Sequence, residues 1–274
     1  PNPDVLCNRE IKFNAFLDYA RRLGADRIAT GHYARVREHN GHFELLKGMD
    51  NGKDQSYFLH AVTEGALADT LFPLGELQKT EVRQKALDFG FANHSKKDST
   101  GICFIGERPF REFLSQFLPA QPGVMKALDG TEIGQHQGLM YYTIGQRKGL
   151  HIGGIAGYPE APWYVVEKDL KNNILTVAQG GDHPALLSAA LTAVDMHWIS
   201  GKPDLGDKLL CGAKTRYRQS DQACVVESRG DELLVTFNEP QRAVTPGQFL
   251  VLYADDACLG GGTIDRAIPW QESA

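Results

Sequence analysis

Two cysteines of this chain sit where a thiol could do chemistry. Cys7 lies near the end of the run Pro1-Asn2-Pro3-Asp4-Val5-Leu6-Cys7-Asn8, and Cys103 lies in Asp98-Ser99-Thr100-Gly101-Ile102-Cys103-Phe104-Ile105-Gly106. Both runs are rich in turn formers and small residues, a setting that presents a thiol at the mouth of a cleft. A cysteine kept for packing sits in an apolar run, whereas Cys7 is followed by Asn8 and Arg9 and Cys103 follows Asp-Ser-Thr-Gly. The two are a candidate reactive pair. The alternative, two ordinary buried thiols, stays open because free cysteine is among the most buried residue types.

The elements around them bear on reactivity. Apolar residues at Ile11, Phe13, Phe16, Leu17, Ala20 and Leu23 recur at helical spacing, with Gly24 as the stop. This spacing puts Cys7 at or just before a helix N-terminus, where unsatisfied N–H groups and the dipole favour a thiolate. Asp26 to Thr30 reads as a short buried strand ending at Gly31-His32-Tyr33. Helix, strand and glycine turn in that order suggest a parallel α/β sheet, whose ligands bind at the carboxyl ends of strands. Gly31 would let a ligand approach the backbone, with His32 on the same rim; a plain turn is the equal alternative. His42 to Leu46 reads as a strand, and Asp50 to Gln55 as a solvated polar turn. Val82, Leu87 and Phe89 mark a second helix stopped by Gly90, after which Lys96-Lys97-Asp98 leads into the Cys103 loop.

Beyond Arg108 the texture changes. A short helix from Phe110 to Leu118 precedes an irregular, glycine-rich segment that runs to Gly157. Within it, Met140 to His151 mixes aromatic residues with a basic cluster, suited to stacking bases or to an ordinary hairpin. Trp163 to Glu167 and Asn173 to Ala178 are strand-like around the turn Lys168 to Asn172. In the last third, strand-like runs at Ala189 to Trp198, Lys208 to Arg218, Gln222 to Ser228, Leu233 to Phe237 and Gln248 to Tyr253 suggest a small β-barrel. Alternation along Lys214-Thr215-Arg216-Tyr217-Arg218 would send three cations to one face, as a phosphate contact or as a charged, protected edge.

Composition narrows the class. At 274 residues the chain is long enough for two or three domains. No apolar run reaches the roughly 20 residues of a membrane helix, so no membrane role is expected. A formal charge of −5 argues against coating nucleic acid by bulk charge and leaves local basic patches. Five widely spaced cysteines, without a CxxC or a Cys/His cluster, favour a reducing compartment and no bound metal. Cys211, Cys224 and Cys258 read as structural.

Taken together, PNPDVLCN, ATGHYAR, KDQSYFL, KDSTGICFIGER, YYTIGQRKGLHIGG and AVTPGQ resemble, in order along most of the chain, the tRNA-specific 2-thiouridylases of MnmA type. The resemblance implies an α/β plus β architecture. Residues 1–107 would be the C-terminal part of an adenine-nucleotide α-hydrolase-like domain, the PP-loop ATP pyrophosphatase with its parallel sheet, holding both cysteines. Residues 108–190 would be a small central tRNA-contacting domain and 191–274 a C-terminal β-barrel. It implies a cytoplasmic sulfurtransferase that uses ATP, with Mg2+ in the complete enzyme, to put persulfide sulfur at the 2-position of the wobble uridine of tRNA. The sulfur donor would be a cysteine desulfurase or a sulfur-relay protein.

Residue by residue, Cys103 matches the persulfide carrier and Cys7 the nucleophile, the two also forming a redox-alternate disulfide. Asn2, Pro3 and Asp4 match the segment that meets the target base, and Gly31 matches a nucleotide contact. His32, Lys53, Asp54, Gln55, Arg216, Tyr217 and Gln248 match tRNA contacts. Members of the family open with a Ser-Gly-Gly-x-Asp-Ser phosphate loop that does not occur in this sequence. The expectation is a chain lacking its N-terminal PP-loop segment, the front of the nucleotide site, so that the fragment alone could be inactive. Two rival readings are a thiol-disulfide oxidoreductase using Cys7 and Cys103, disfavoured without a CxxC, and a non-catalytic RNA-binding fragment.

Overall fold

A computed structural model describes residues 2–96, 113, 115–206 and 208–271. Cys103 and residues 97–102 before it lie outside the described residues. The chain divides into two compact units.

The first unit draws on the N-terminal stretch through residue 96, on 192–238 and on 246–265. It opens with α1 (Pro3–Leu6), a π-helical stretch (Cys7–Ala15) and α2 (Phe16–Arg22). Asn2 caps this helix, its side chain accepting the Asp4 N–H at 2.9 Å, and Pro3 fills the first turn, where a missing N–H costs nothing. The helix therefore starts one turn earlier than the apolar spacing implies. Cys7 is a correction: its N–H bonds back to the Asp4 and Pro3 carbonyls, so it is no free helix-terminal donor. The wider winding, seen where the Phe16 N–H reaches the Ile11 carbonyl, also shifts the apolar stripe. Phe13 and Leu17 are buried, while Ile11, Phe16 and Leu23 are exposed.

Strand β1 (Ile28–Ala29) pairs in parallel with β4 (Thr70–Leu71). Between them, β2 (Ala34–His39) and β3 (His42–Lys47) form a hairpin whose two-residue turn, Asn40-Gly41, has both residues at positive φ. Helices α3 (Ser56–Leu59) and α4 (Glu64–Ala68) follow, and α5 (Lys79–Asp88) starts where Glu81 Oε2 accepts the Gln78 N–H at 2.7 Å.

The barrel of this unit comprises β9 (Leu187–Trp198), β10 (Leu209–Lys214), β11 (Gln222–Arg229), β12 (Glu232–Arg242), β13 (Phe249–Ala254) and β14 (Ala257–Pro269). These run in the order β13-β10-β11-β12-β9-β14, and pairing of β13 with β14 closes the ring, which removes the sheet edges. Strands β9, β12 and β14 run on past the bounds of this unit. The hairpin joins at β14, with Leu46 opposite Ala257 and Leu45 opposite Cys258. One core spans helix, hairpin and barrel: Val5, Phe13 and Leu17 cluster with Leu45, Tyr57, Leu59, Phe249, Val251 and Tyr253.

Strand β10 ends at Lys214, so the alternation expected through Arg218 does not hold. Lys214 and Thr215 are buried, Arg216 lies in the turn that follows, and Arg218 adopts φ +64. Strand β14 went unread in the sequence.

The second unit is built on a four-stranded sheet, β6-β5-β8-β7, from β5 (Gly123–Ala127), β6 (Glu132–His136), β7 (Trp163–Asp169) and β8 (Ile174–Gln179). Only β5 and β8 run in parallel. Met125, Ile133, Leu139, Trp163, Val165, Leu175 and Val177 form its core. Strands β5 and β6 correct the reading of that stretch as irregular.

Candidate active site

The expected site residues other than Cys103 all fall in the first unit. Asn2 and Pro3 build the helix start, Asp4 occupies its first turn, and the half-buried Cys7 opens the π-helical stretch. Single-turn π-helical distortions collect at functional sites, because they re-aim side chains relative to a regular helix. Asn8, beside the thiol, is buried. Its Nδ2 donates to the Phe58 carbonyl at 3.2 Å, while its Oδ1 finds no partner among the described residues.

Gly31 follows β1 and is exposed. A Cβ placed there would meet only Leu74 Cδ1 at 3.8 Å, so the backbone at the carboxyl end of β1 is open to a ligand. That fits the edge of a nucleotide, although no described segment supplies a phosphate loop. His32 points the other way, into the protein. It is buried against Phe13, ring centroids 5.6 Å apart, and its Nδ1 lies 2.7 Å from Thr30 Oγ1. Burial, with a smaller contribution from Lys12, lowers its pKa to about 4. The ring is neutral at pH 7 and offers hydrogen bonds rather than positive charge.

The turn expected to be solvated is anchored. Asp54 is buried; its Oδ1 accepts the Gly48 and Ser56 N–H groups at 3.1 and 3.0 Å, and its Oδ2 accepts the Ser56 hydroxyl at 2.9 Å. Lys214 Nζ completes the set at 3.4 Å. Gln55 is tied to the segment after Gly31: its N–H donates to the Tyr33 carbonyl at 2.8 Å and its Oε1 accepts the Tyr33 N–H at 3.0 Å. Lys53, next to Asp54 in the chain, is half-buried. Asp54 and Gln55 thus hold the backbone that carries Gly31, His32 and Lys53.

Around Asp54 lies a charge cluster that sequence reasoning missed. Asp221 bridges Lys47 at 2.5 Å and Lys214 at 3.6 Å, and both ammonium groups sit 4.8 Å from the Tyr253 ring centre. Tyr253 Oη is 3.1 Å from Ser56 Oγ. No local signal announces this network, because Asp54 and Lys214 are 160 positions apart. A second link joins the turn after β10 to α3: the Tyr217 ring packs against Phe58 in a tilted contact, centroids 4.3 Å apart. Arg216 beside it is exposed. Gln248 is half-buried, and its carbonyl accepts the Ile264 N–H at 2.8 Å.

The arrangement presents a thiol at a helical irregularity, an open glycine edge and an exposed arginine within one compact unit. Among the described residues no three His, Cys, Asp or Glu side chains converge on a metal position, and no helix is long and apolar enough to cross a membrane.

Three family models match the chain: a tRNA methyl transferase HUP domain over residues 1–107, a tRNA methyl transferase PRC-barrel domain over 111–179, and an aminomethyltransferase beta-barrel domain over 188–264. The chain is 60% identical over 272 residues to the tRNA-specific 2-thiouridylase MnmA of Stutzerimonas stutzeri, covering 99% of this chain and 72% of that protein. It is 60% identical over 267 residues to the protein of that name from Methylococcus capsulatus, covering 97% and 72%. Against its counterpart in Pseudomonas fluorescens SBW25 the identity is 59% over 274 residues, covering 100% and 73%.

Proposed function

The chain belongs to the family of tRNA-specific 2-thiouridylases of MnmA type, and on that premise we propose that it takes part in ATP-dependent 2-thiolation of the wobble uridine of tRNA. The observation that carries this is identity of about three residues in five, sustained over 99% of the chain, with a protein of that name. The matches at 1–107, 111–179 and 188–264 support a division into a nucleotide-binding part over 1–107, a central part over 108–190 and a barrel part over 191–274.

The 2-oxygen of uracil is a poor leaving group, and ATP supplies the adenylyl group that makes it a good one. Mg2+ would accompany the nucleotide, and Gly31 would face it from the open end of β1. Asn2, Pro3 and Asp4 would meet the target base, with Asp4 placed to handle a proton. Sulfur must arrive as a nucleophile, and a persulfide on Cys103, loaded by a cysteine desulfurase or relay protein, is a soft, readily ionised one. Its terminal sulfur can bond to the activated carbon as the nucleotide leaves. The Cys7 thiolate then attacks the Cys103 sulfur, releasing the 2-thio base and leaving a Cys7–Cys103 disulfide for a thiol reductant to reset. In the second route Cys7 attacks the persulfide first and frees hydrosulfide within the site.

Lys53, Gln55, Arg216, Tyr217 and Gln248 would line the tRNA path, whereas His32, a tRNA contact by family resemblance, is buried against Phe13 and would act on that path through the backbone around it. Asp54, a tRNA contact by family resemblance, would serve that path by holding the turn. A cytoplasmic setting suits both the thiols and the tRNA. The test is intact-protein mass spectrometry after incubation with a persulfide donor. Wild type is expected to gain one sulfur atom at Cys103, and Cys103→Ser to gain none while retaining tRNA binding. A persulfide that never forms at Cys103, or a folded Cys103→Ser chain that no longer binds tRNA, overturns the assignment.

A further inference from the structure

A second thiol pair lies in the barrel, away from the chemistry above. Cys211 on β10 and Cys224 on β11 are directly opposite each other in the antiparallel register, and their sulfurs are 3.8 Å apart. We propose that Cys211 and Cys224 form a reversible cross-strand disulfide site that reacts with low-molecular-weight disulfides of the glutathione class.

Directly opposed residues of an antiparallel pair have Cα atoms about 4.5 to 5.5 Å apart. That range falls inside the roughly 4.4 to 6.8 Å that a disulfide spans. The bond therefore asks for side-chain rotation to bring the sulfurs together, with the strands left in place.

The two thiols are unequal. Cys211 is half-buried and within reach of a small reagent, whereas Cys224 is buried. Cys224 Sγ lies 3.4 Å from the Cys211 carbonyl and 3.8 Å from Cys211 Sγ, so its single S–H can donate to the carbonyl or turn to the neighbouring sulfur. The neighbouring Cys224 thiol stabilises the Cys211 anion and lowers its pKa, while the same contact and burial raise that of Cys224. Cys211 is accordingly the attacking sulfur.

The steps balance without a metal. The Cys211 thiolate bonds to one sulfur of the reagent disulfide and expels the other as a thiolate, which takes a proton. Cys224 then loses its proton and attacks the Cys211 sulfur of the mixed disulfide, expelling the second thiolate. Two cysteine sulfurs are oxidised by two electrons, and one reagent disulfide is reduced to two thiols. The bond closes the base of the hairpin turn that carries Arg216 and Tyr217, whether or not those residues touch tRNA.

The natively folded chain, incubated with oxidised glutathione, quenched in acid and digested with trypsin without reduction, tests this. Cleavage at lysine and arginine isolates residues 209–214 and 219–229, so each cysteine falls in its own peptide. The expected product is the two peptides joined, with the loss of two hydrogens, reverting on treatment with dithiothreitol. Cys224→Ser is expected to trap glutathione on Cys211, and Cys211→Ser to leave Cys224 unmodified over the same time. Absence of the joined peptide, its formation only after unfolding in urea, or trapping of glutathione on Cys224 in preference to Cys211 would overturn the proposal.

Discussion

Lys214 Nζ and Asp54 Oδ2 meet at 3.4 Å in the interior of the first unit, both residues under a tenth exposed. Neither would be tolerated alone there, because an unpaired buried charge is far costlier than a satisfied one. Asp54 also accepts two backbone N–H groups, and these lose their acceptor if the carboxylate goes. Asp54→Ala should therefore cost about 3 to 5 kcal/mol in urea unfolding, and Lys214→Met somewhat less, since Asp221 releases a partner but Asp54 keeps its other donors. The double variant should cost clearly less than the sum. Strict additivity would show that the two groups do not stabilise one another.

Acid should weaken the fold through two histidines. Burial lowers the pKa of both His32 and His60 to about 4, and His60 donates from Nδ1 to the Tyr57 carbonyl at 2.8 Å as a neutral ring. The unfolded chain binds protons at these rings near pH 6.5, whereas the folded chain does so only near 4. Stability from this source is complete above about pH 6.5 and is lost as pH falls towards 4, on the order of 2 to 3 kcal/mol per ring. In His60→Gln the slope of unfolding free energy against pH between 6 and 4.5 should flatten by up to about 1.4 kcal/mol per pH unit. An unchanged slope would mean that His60 is already protonated in the fold.

Legibility in the sequence follows how local each cause is. Asn40-Gly41 marks the hairpin, and Asn2-Pro3 carries a cap signal that the apolar spacing overrode. Strand β14 went unread because Gly260-Gly261-Gly262 looks like loop, yet these glycines are where neighbouring backbone and side chains press close. The π winding has no compositional mark, and it moved Ile11 and Phe16 outward. Cys7, Gly31, Arg216 and Tyr217 could be singled out by residue type and family motif. What holds them could not, because the Asp54–Lys214 and Phe58–Tyr217 contacts join segments about 160 positions apart and depend on the closed barrel.

The glycines of β14 invite a direct measurement. Gly260 adopts φ +145, and a Cβ there would fall 2.0 Å from the His197 carbonyl oxygen. The obstruction is backbone on β9, so no rotamer change relieves it. Gly260→Ala should lose several kcal/mol, on the order of 3 or more, or fail to accumulate as folded protein. Gly230→Ala, also at positive φ but with nothing within 4 Å, should cost only about 1 kcal/mol. Equal costs for the two in thermal or urea unfolding would show that the contact between β9 and β14 leaves room for a methyl group.

Arg216 and Tyr217 are adjacent and should fail in different ways. Arg216 is exposed, so Arg216→Ala should leave the unfolding midpoint unchanged. If it faces a phosphate, the variant should weaken tRNA binding for all sequences alike and reduce the slope of log affinity against log salt by about 1. Tyr217 instead packs against Phe58, ring centres 4.3 Å apart and tilted, and lies partly buried against the core of the first unit. Tyr217→Ala should destabilise the fold by about 1 to 3 kcal/mol and change tRNA affinity with little effect on the salt slope. Filter binding over a salt series, run beside urea unfolding of the same preparations, separates the two. A salt slope unaltered in Arg216→Ala would remove that residue from the tRNA path, and a Tyr217→Ala chain of wild-type stability would show that the ring contributes nothing to packing.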